Sequence, residues 1–423
     1  MSKTLHKKKT HLLLATVCIL GLVAALAACS PPAETKKEDA SAGSKQEVKM
    51  PEPDSFGVIT AEGWKDIYPD QYASYQANLS NAPGAGKHDY LELYPALNTL
   101  YAGMAFSKGY EEAAGHLYTL DAIRTTPRIT DKSLANCITC KSPQFTALVN
   151  SNGAAEYAKP FAETIALMTE PISCYNCHEN DPTKLTVGNK FFLAALGNDV
   201  SKVPENAQVC GQCHNEYYFN ADTKATTNPY VGLAAMAPDA ILAYYDEMGF
   251  SDWKYPVTET PMIKIQHPEF ETIYGGGTQS NMAALGYGCS DCHMAPATAA
   301  DGSEYTSHEW TSPLENQGLL DSTCKSCHPD LKKQVADWQA TEDERVKAIS
   351  LKIEELAKKM TDQVNAGTLA GDKLAQLQKL HRNSQFYWDF VMVENSEGAH
   401  NPKFTKATLD KAEKAVDEAL AML

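Results

Sequence analysis

The stretch "CYNCH", residues 174–178, places two cysteines three positions apart and a histidine directly after the second. The same pattern returns as "CGQCH" (210–214), "CSDCH" (289–293) and "CKSCH" (324–328). A fifth pair, "CITCK" (137–141), carries a lysine where the other four carry a histidine. These pairs hold ten of the twelve cysteines in the 423-residue chain, so their spacing is the first feature to interpret.

Cys-x-x-Cys-His is the attachment pattern of c-type haem, in which both thiols bond to the porphyrin and the histidine binds the iron. Structural disulfides would not need a histidine after four pairs, and zinc ribbons leave the repeated Cys-His endings unexplained. Thioredoxin-like motifs lie in a βαβ context and do not come in fives. The sequence therefore predicts five covalently bound haem c groups. Their attachment and proximal residues are Cys137, Cys140 and Lys141; Cys174, Cys177 and His178; Cys210, Cys213 and His214; Cys289, Cys292 and His293; and Cys324, Cys327 and His328.

All five motifs fall within residues 137–328, which is too little chain for five separate domains. We therefore expect a mainly α fold, a multihaem cytochrome c with five closely packed haems and little β structure, in one domain over residues 55–423. Apolar residues recur at steps of three and four over 330–365, 373–395 and 406–423, which predicts long helices. We expect this helical part, 330–423, to form a dimer contact.

The N-terminus is typical of an export signal, with a basic start, an apolar run from Leu12 to Leu26 and the ending "LAAC" (26–29). The ending resembles a lipobox, which implies cleavage after residue 28 and acylation of Cys29. An ordinary signal peptide or an uncleaved anchor are the alternatives. Residues 29–54 are polar and rich in Pro, Ala and Ser, which predicts a disordered tether. We expect an exported protein, lipid-anchored on the outer face of the cytoplasmic membrane or periplasmic.

The formal net charge of −16 argues against a nucleic-acid partner, because such partners require a basic surface. An acidic surface is common for an exported domain and indicates no particular function.

Lys141 has two interpretations. If the first haem only carried electrons, the loss of its histidine would be damage; if it were the reaction site, a lysine amine could hold one side of the iron while the other stayed open. The amine must be neutral to bind, which costs about 4.6 kcal/mol at pH 7 from its reference pKa. Because the pKa of a buried lysine shifts readily, the spacing permits ligation without proving it.

The order of one Cys-x-x-Cys-Lys and four Cys-x-x-Cys-His motifs resembles the ammonia-forming cytochrome c nitrite reductases. The resemblance runs from about Trp64 to about Pro402 and implies six-electron reduction of nitrite to ammonium at the lysine-ligated haem. The further stretches that carry it are "AFSKGYEEAAGHLYTLDAIRTTPR" (105–128), "CGQCHNEYYF" (210–219), "TPMIKIQHPEFE" (260–271), "YTSHEW" (305–310) and "YWDFVMVENSEGAHNP" (387–402).

The resemblance implies that Arg128, Tyr217 and His267 surround the open side of the first haem. Arg128 would offer fixed positive charge and several donors to a bound anion. His267 would carry protons near neutral pH, and Tyr217 would supply a hydroxyl. These residue types suit an anionic substrate that must be protonated.

The resemblance also implies a calcium ion beside this pocket. Its ligands would be the side chains of Glu216 and Gln266 and the backbone carbonyls of Tyr217 and Lys264, all oxygen donors that suit a hard cation. A purely structural Glu/Gln pair is the alternative.

Three further histidines are implied as distal ligands. His308 would serve the second haem, His116 the third and His400 the fourth. The family's distal histidine for the fifth haem lies seven residues before the fourth motif, where this chain has Met282.

Thioether sulfur is a known haem ligand, so we expect Met282 on the fifth haem. The alternative is that Met282 packs in the core, with His88, His381 or no ligand on that haem.

The leading function is therefore nitrite reduction, with electrons from a membrane quinol-oxidising multihaem cytochrome or another multihaem donor, in a homodimer. Two alternatives stay open. One is a pentahaem electron carrier without catalysis, and the other is a related multihaem enzyme acting on hydroxylamine, nitric oxide or sulfite.

Overall fold

The computed structural model of the protein describes residues 49–84, 88–277 and 279–423. The expected signal segment, Cys29 and most of the expected tether lie outside these residues. Short helices joined by long connections occupy the part before residue 330. They are α1 Ala61–Trp64, α2 Pro69–Ala77, α3 Tyr90–Leu93, α4 Leu97–Leu100, α5 Thr119–Thr125, α6 Pro143–Asn152, α7 Phe161–Ile165, α8 Cys174–His178, α9 Lys190–Leu196, α10 Glu205–Gly211, α11 Pro238–Glu247, α12 Glu269–Tyr274, α13 Asn281–Ala284, α14 Ser290–His293 and α15 Gln317–Ser322.

Three long helices form the C-terminal part: α16 Leu331–Asn365, α17 Gly371–Met392 and α18 Pro402–Met422. The Asp330 carboxylate caps the first of them by accepting from the Lys333 amide at 3.0 Å. One face of α16 buries apolar side chains at helical spacing against α17, α18 and the segment around α4. The three helices and α4 therefore share one apolar cluster.

Strands are few and short in the described chain. Three antiparallel pairs occur: β1 Tyr218–Phe219 with β2 Thr226–Thr227, β3 Trp253–Lys254 with β4 Pro261–Met262, and β5 Pro296–Thr298 with β6 Glu304–Thr306. The mainly α fold expected from the sequence is confirmed. No helix of the described residues is both long and apolar enough to cross a membrane.

Two further apolar clusters support the haem-type motifs. One joins α9, α10, α11 and α12 to the C-terminal part of α17, and the other packs α6 and α7 beside the first motif. Each motif lies on or next to a short helical turn, because residues three and four apart on a turn project from the same side. The second motif is itself α8, and the first lies on the 3₁₀ turn Ala135–Ile138.

Candidate active site

Lys141 lies at the end of the first motif, where its carbonyl accepts from the Thr119 hydroxyl at 2.8 Å. Burial lowers the pKa of its amine, while the nearby thiols of Cys140 and Cys213 act in the opposite direction. A lowered pKa is the direction that a metal-binding amine requires. Lys141 is also within electrostatic range of Arg128 and His267, so these two residues lie near the first motif.

Arg128 is held by two contacts. Its Nη1 donates to the Gly109 carbonyl at 3.0 Å, and its guanidinium carbon lies 4.4 Å from the centre of the Phe106 ring. Such a cation–π contact and a charged hydrogen bond fix the plane of the guanidinium. Burial lowers the pKa of Arg128, whose neighbours include Tyr217 and Cys137.

Tyr217 and His267 lie near the same motif. Burial raises the pKa of Tyr217 well above its usual value, and the adjacent Cys140 and Cys137 act in the same direction. Burial lowers the pKa of His267 to about 4, and its Nδ1 has no hydrogen-bond partner among the described residues. Burial disfavours the imidazolium, and the role of His267 as a proton carrier stays a prediction.

Glu216, Gln266 and Lys264 of the expected calcium site contact one another, and Tyr217 follows Glu216 in the chain. Glu216 is buried, and its carboxylate accepts from the Tyr245 hydroxyl at 2.8 Å and from the Gln266 amide at 2.7 Å. The Gln266 side chain donates to the Lys264 carbonyl at 3.0 Å. Burial raises the pKa of Glu216 well above its usual value. This set fits a hard cation by donor type, since it gathers carboxylate, amide and carbonyl oxygens around a buried acid.

The expected axial histidines occur as facing pairs. We number each pair by the haem that it is expected to hold. The ring centres lie 6.3 Å apart in the second pair (His178 and His308). They lie 6.0 Å apart in the third pair (His116 and His214) and in the fourth pair (His293 and His400). A metal–imidazole bond is about 2 Å long, so two rings on opposite sides of one metal ion place their centres about 6 Å apart. These residues therefore fit a haem iron held between each pair.

The fifth motif differs from these three. The Nδ1 of His328 lies 2.7 Å from the Gln334 Oε1. Met282, on α13, is 37% exposed and thus not core packing. Tyr287, which follows α13, is within electrostatic range of Cys324.

The two alternative ligands differ in exposure. His381 is fully buried beside Tyr255, and His88 is exposed. Met282 as the ligand of the fifth haem stays a prediction.

The motifs are close neighbours in space. Their cysteines either hydrogen-bond each other or lie within electrostatic range, which joins the first motif to the third, the third to the second and fourth, and the fourth to the fifth. The pairs are Cys140 with Cys213, Cys177 with Cys210, Cys210 with Cys289, and Cys292 with Cys324.

Three acids that the sequence did not single out contact site residues. Glu394 faces the Nδ1 of His400, Glu269 faces that of His214, and Asp389 pairs with Lys264. Glu394 and Asp389 lie inside "YWDFVMVENSEGAHNP" and Glu269 inside "TPMIKIQHPEFE". Membership of those stretches is the only signal that could have found them.

Comparison with known proteins agrees with this arrangement. The cytochrome c552 family model matches residues 60–423. The cytochrome c nitrite reductase subunit NrfA of Nitratidesulfovibrio vulgaris is 32% identical, over 86% of this chain and 78% of that protein. Cytochrome c-552 of Aliarcobacter butzleri is 30% identical, over 96% of this chain and 83% of that protein.

Among solved structures, the catalytic subunit NrfA of the cytochrome c nitrite reductase of Desulfovibrio desulfuricans, described with two calcium sites, is similar with a TM-score of 0.77. It is 26% identical, and the match covers 87% of this chain and 86% of that one. The chain therefore belongs to the cytochrome c552 family, and the resemblance of its motifs to the ammonia-forming cytochrome c nitrite reductases is confirmed.

Proposed function

We propose that this protein is an ammonia-forming cytochrome c nitrite reductase that reduces nitrite with six electrons at the haem attached to Cys137 and Cys140. The observation that carries the proposal is the convergence of Lys141, Arg128 and His267 around that motif. A carrier haem would need none of these three groups. The names of the relatives and of the similar solved structure support the same reaction.

The chain's residues would divide the chemistry as follows. Lys141 would bind the haem, and the haem would supply electrons and bind the anion. Arg128, fixed by Gly109 and Phe106, attracts the anion and stabilises charge as oxygen leaves it. Tyr217 and His267, near the same motif, would orient the anion and pass protons to its oxygens.

Five haems with four conducting members are supported by the cysteine contacts and the three histidine pairs. His116, His308 and His400 would be distal ligands, and Met282 would serve the fifth haem. Because the motifs are neighbours from the first to the fifth, electrons would pass between the haems within the protein.

A calcium ion would bind Glu216, Gln266 and the carbonyls of Tyr217 and Lys264. The buried Glu216 supports this, because an acid raised so far in pKa by burial gains most from a cation. The two calcium sites named for the similar solved structure support it too. Since Tyr217 follows Glu216 directly, the ion would also hold the substrate side of the pocket in place.

The protein would work outside the cytoplasm. Covalent haem attachment and the export signal support this, and acylation of Cys29 would tether it to the outer face of the membrane through residues 29–54. An electron donor there would be a multihaem cytochrome. A homodimer through α16–α18 is supported by Leu351, an apolar residue of α16 that is 60% exposed. Leu351→Glu should then lower the mass in solution by half.

The test is ammonium formation by the haem-loaded protein with a reduced dye as donor. We expect one ammonium for every six electrons consumed, and no ammonium would reject the proposal. Lys141→His should abolish the high-spin signal of the first haem and most activity, whereas an electron carrier would be nearly unchanged. Lys325→His is the matched control, because Lys325 lies inside the fifth motif with its side chain 66% exposed.

The same assay separates the alternative substrates. Equal or higher kcat/KM with hydroxylamine, nitric oxide or sulfite than with nitrite would assign the site to a related multihaem enzyme.

A further inference from the structure

The histidines of the three facing pairs differ in what their outer ring nitrogen contacts. In the second pair, His178 and His308 place Nδ1 against the backbone carbonyls of Lys184 and Thr306, at 2.7 and 3.0 Å. These acceptors are neutral. The second pair therefore serves as an internal reference for a haem whose ligands hydrogen-bond to neutral acceptors.

The fourth pair is asymmetric. His293 places Nδ1 2.9 Å from the Thr311 carbonyl, but His400 places Nδ1 2.6 Å from the Glu394 carboxylate. Glu394 is 3% exposed, and the Ser396 hydroxyl donates to its other oxygen at 2.5 Å. The carboxylate is thus buried and held in one orientation against the histidine.

A carboxylate that accepts from Nδ1 makes the imidazole a stronger donor to its metal than a carbonyl does, because negative charge is shared into the ring. A stronger donor stabilises the oxidised iron, and hydrogen bonding to an axial ligand is a recognised control of haem potential. We propose that Glu394 is a positioning residue that, through His400, lowers the reduction potential of the fourth haem below that of the second. This inference rests on the haem ligation given under Proposed function.

The segment that holds Glu394 also reaches the third pair. The Asn395 backbone and side-chain amides both donate to Glu269 Oε1, at 3.2 and 2.5 Å, and Glu269 Oε2 lies 3.7 Å from the His214 Nδ1. At 3.7 Å the effect on His214 is weaker than the effect of Glu394 on His400. The third haem would therefore lie above the fourth in potential.

This order gives the electron path a direction. The fourth motif neighbours the third through Cys289 and Cys210, and the third neighbours the first through Cys213 and Cys140. One electron on the fourth haem would move to the third at higher potential, and no bond forms or breaks in that step. Glu394 would thus keep the fourth haem from retaining electrons that the first haem requires.

The experiment is a redox titration of the haem-loaded protein, followed by optical and EPR spectra. We expect Glu394→Gln to raise the midpoint potential of one haem and to change one low-spin EPR signal, with the other haems unchanged. Glu397→Gln is the matched control, since it removes an equal charge three residues away without contacting an axial histidine. Unchanged potentials in Glu394→Gln, or equal shifts in both variants, would overturn the proposal.

A second variant tests the proposal if Glu394→Gln fails to fold or to bind its haems. Glu394→Asp keeps the charge but withdraws it from His400, so we expect a smaller shift in the same direction; unchanged potentials would count against Glu394. Haem content and ammonium formation are measured on the same samples. If wild-type protein shows no low-spin spectrum of haem with two histidine ligands, or forms no ammonium, the proposed function itself is rejected. If the protein is active but its haem potentials do not change in the Glu394 variants, only the role of Glu394 is rejected.

Discussion

Lys264 and Asp389 form an ion pair at 3.2 Å whose side chains are 1% and 0% exposed. The same carboxylate accepts from the Ile265 amide at 2.9 Å and from the Tyr101 hydroxyl. Burial lowers the pKa of Lys264 and raises that of Asp389, and their mutual attraction opposes both changes. Since Lys264 directly precedes the segment with Gln266 and His267, Asp389 ties the substrate side of the pocket to α17.

Asp389→Asn should destabilise the protein by about 3–5 kcal/mol, because it leaves a buried ammonium without its counter-charge. The measurement is the free energy of unfolding of haem-loaded protein in denaturant. Activity should fall as well, since the segment that holds His267 loses its anchor.

The control for this change is Glu355→Gln on α16. Its pair with Lys359 is 2.7 Å long, but both side chains are about half exposed. We expect a loss below about 1 kcal/mol, because exposed pairs contribute little. Similar losses in the two variants would contradict the role given to the buried pair.

Arg128→Gln should raise the KM for nitrite by about 10- to 100-fold, which corresponds to the loss of a charged hydrogen bond worth about 1.5–3 kcal/mol. Steady-state rates at several nitrite concentrations measure this. Lys132→Gln, at an exposed lysine of the same loop, makes the same change in net charge. A KM raised equally in both variants would mean that overall charge, rather than the fixed guanidinium, attracts the anion.

Gly211→Ala should destabilise the fold by about 1–3 kcal/mol through overpacking. Gly211 lies within the third motif, and an added Cβ would come within 2.3 Å of the Phe270 ring and 2.8 Å of the Phe192 ring. Thermal unfolding and haem content measure the effect. Gly318→Ala at an exposed position of α15 is the control, and its effect should be smaller, because its nearest contact, the Asn316 side-chain oxygen at 3.3 Å, need shift by only a few tenths of an ångström. Normal haem content and Tm in Gly211→Ala would mean that the Phe270 and Phe192 rings move aside without cost, and would contradict the prediction.

The sequence predicted what short spacing encodes. Two thiols and a histidine must be adjacent in the chain to reach one haem, so the motifs could be recognised directly. The mainly α fold could be predicted because apolar residues recur at helical spacing. Helix ends were less certain: α17 ends at Met392 rather than near 395, because Glu394 and Asn395 turn to hold His400 and Glu269. Pairs such as Lys264 with Asp389 could not be predicted, since a charge in a sequence does not indicate its distant partner.

His381 gives a prediction about pH. It is fully buried in α17, neither ring nitrogen has a hydrogen-bond partner among the described residues, and burial lowers its pKa from 6.5 to about 4. Below pH 6.5 the unfolded chain therefore binds a proton that the folded chain takes up only near pH 4. The contribution of His381 to stability is complete above pH 6.5 and is lost as the pH falls toward 4.

His381→Leu should remove this dependence, because leucine fills similar space and does not titrate. The difference in unfolding free energy between variant and wild type should grow in favour of the variant by up to about 3 kcal/mol as the pH falls from 7 to 4. Denaturant unfolding of both haem-loaded proteins across that range measures it. Asn383→Leu, on the same helix, replaces a polar side chain that does not titrate and should leave the slope unchanged. A constant difference between His381→Leu and wild type would mean that the buried ring finds a proton-stabilising partner on opening, and that burial alone does not set its pKa.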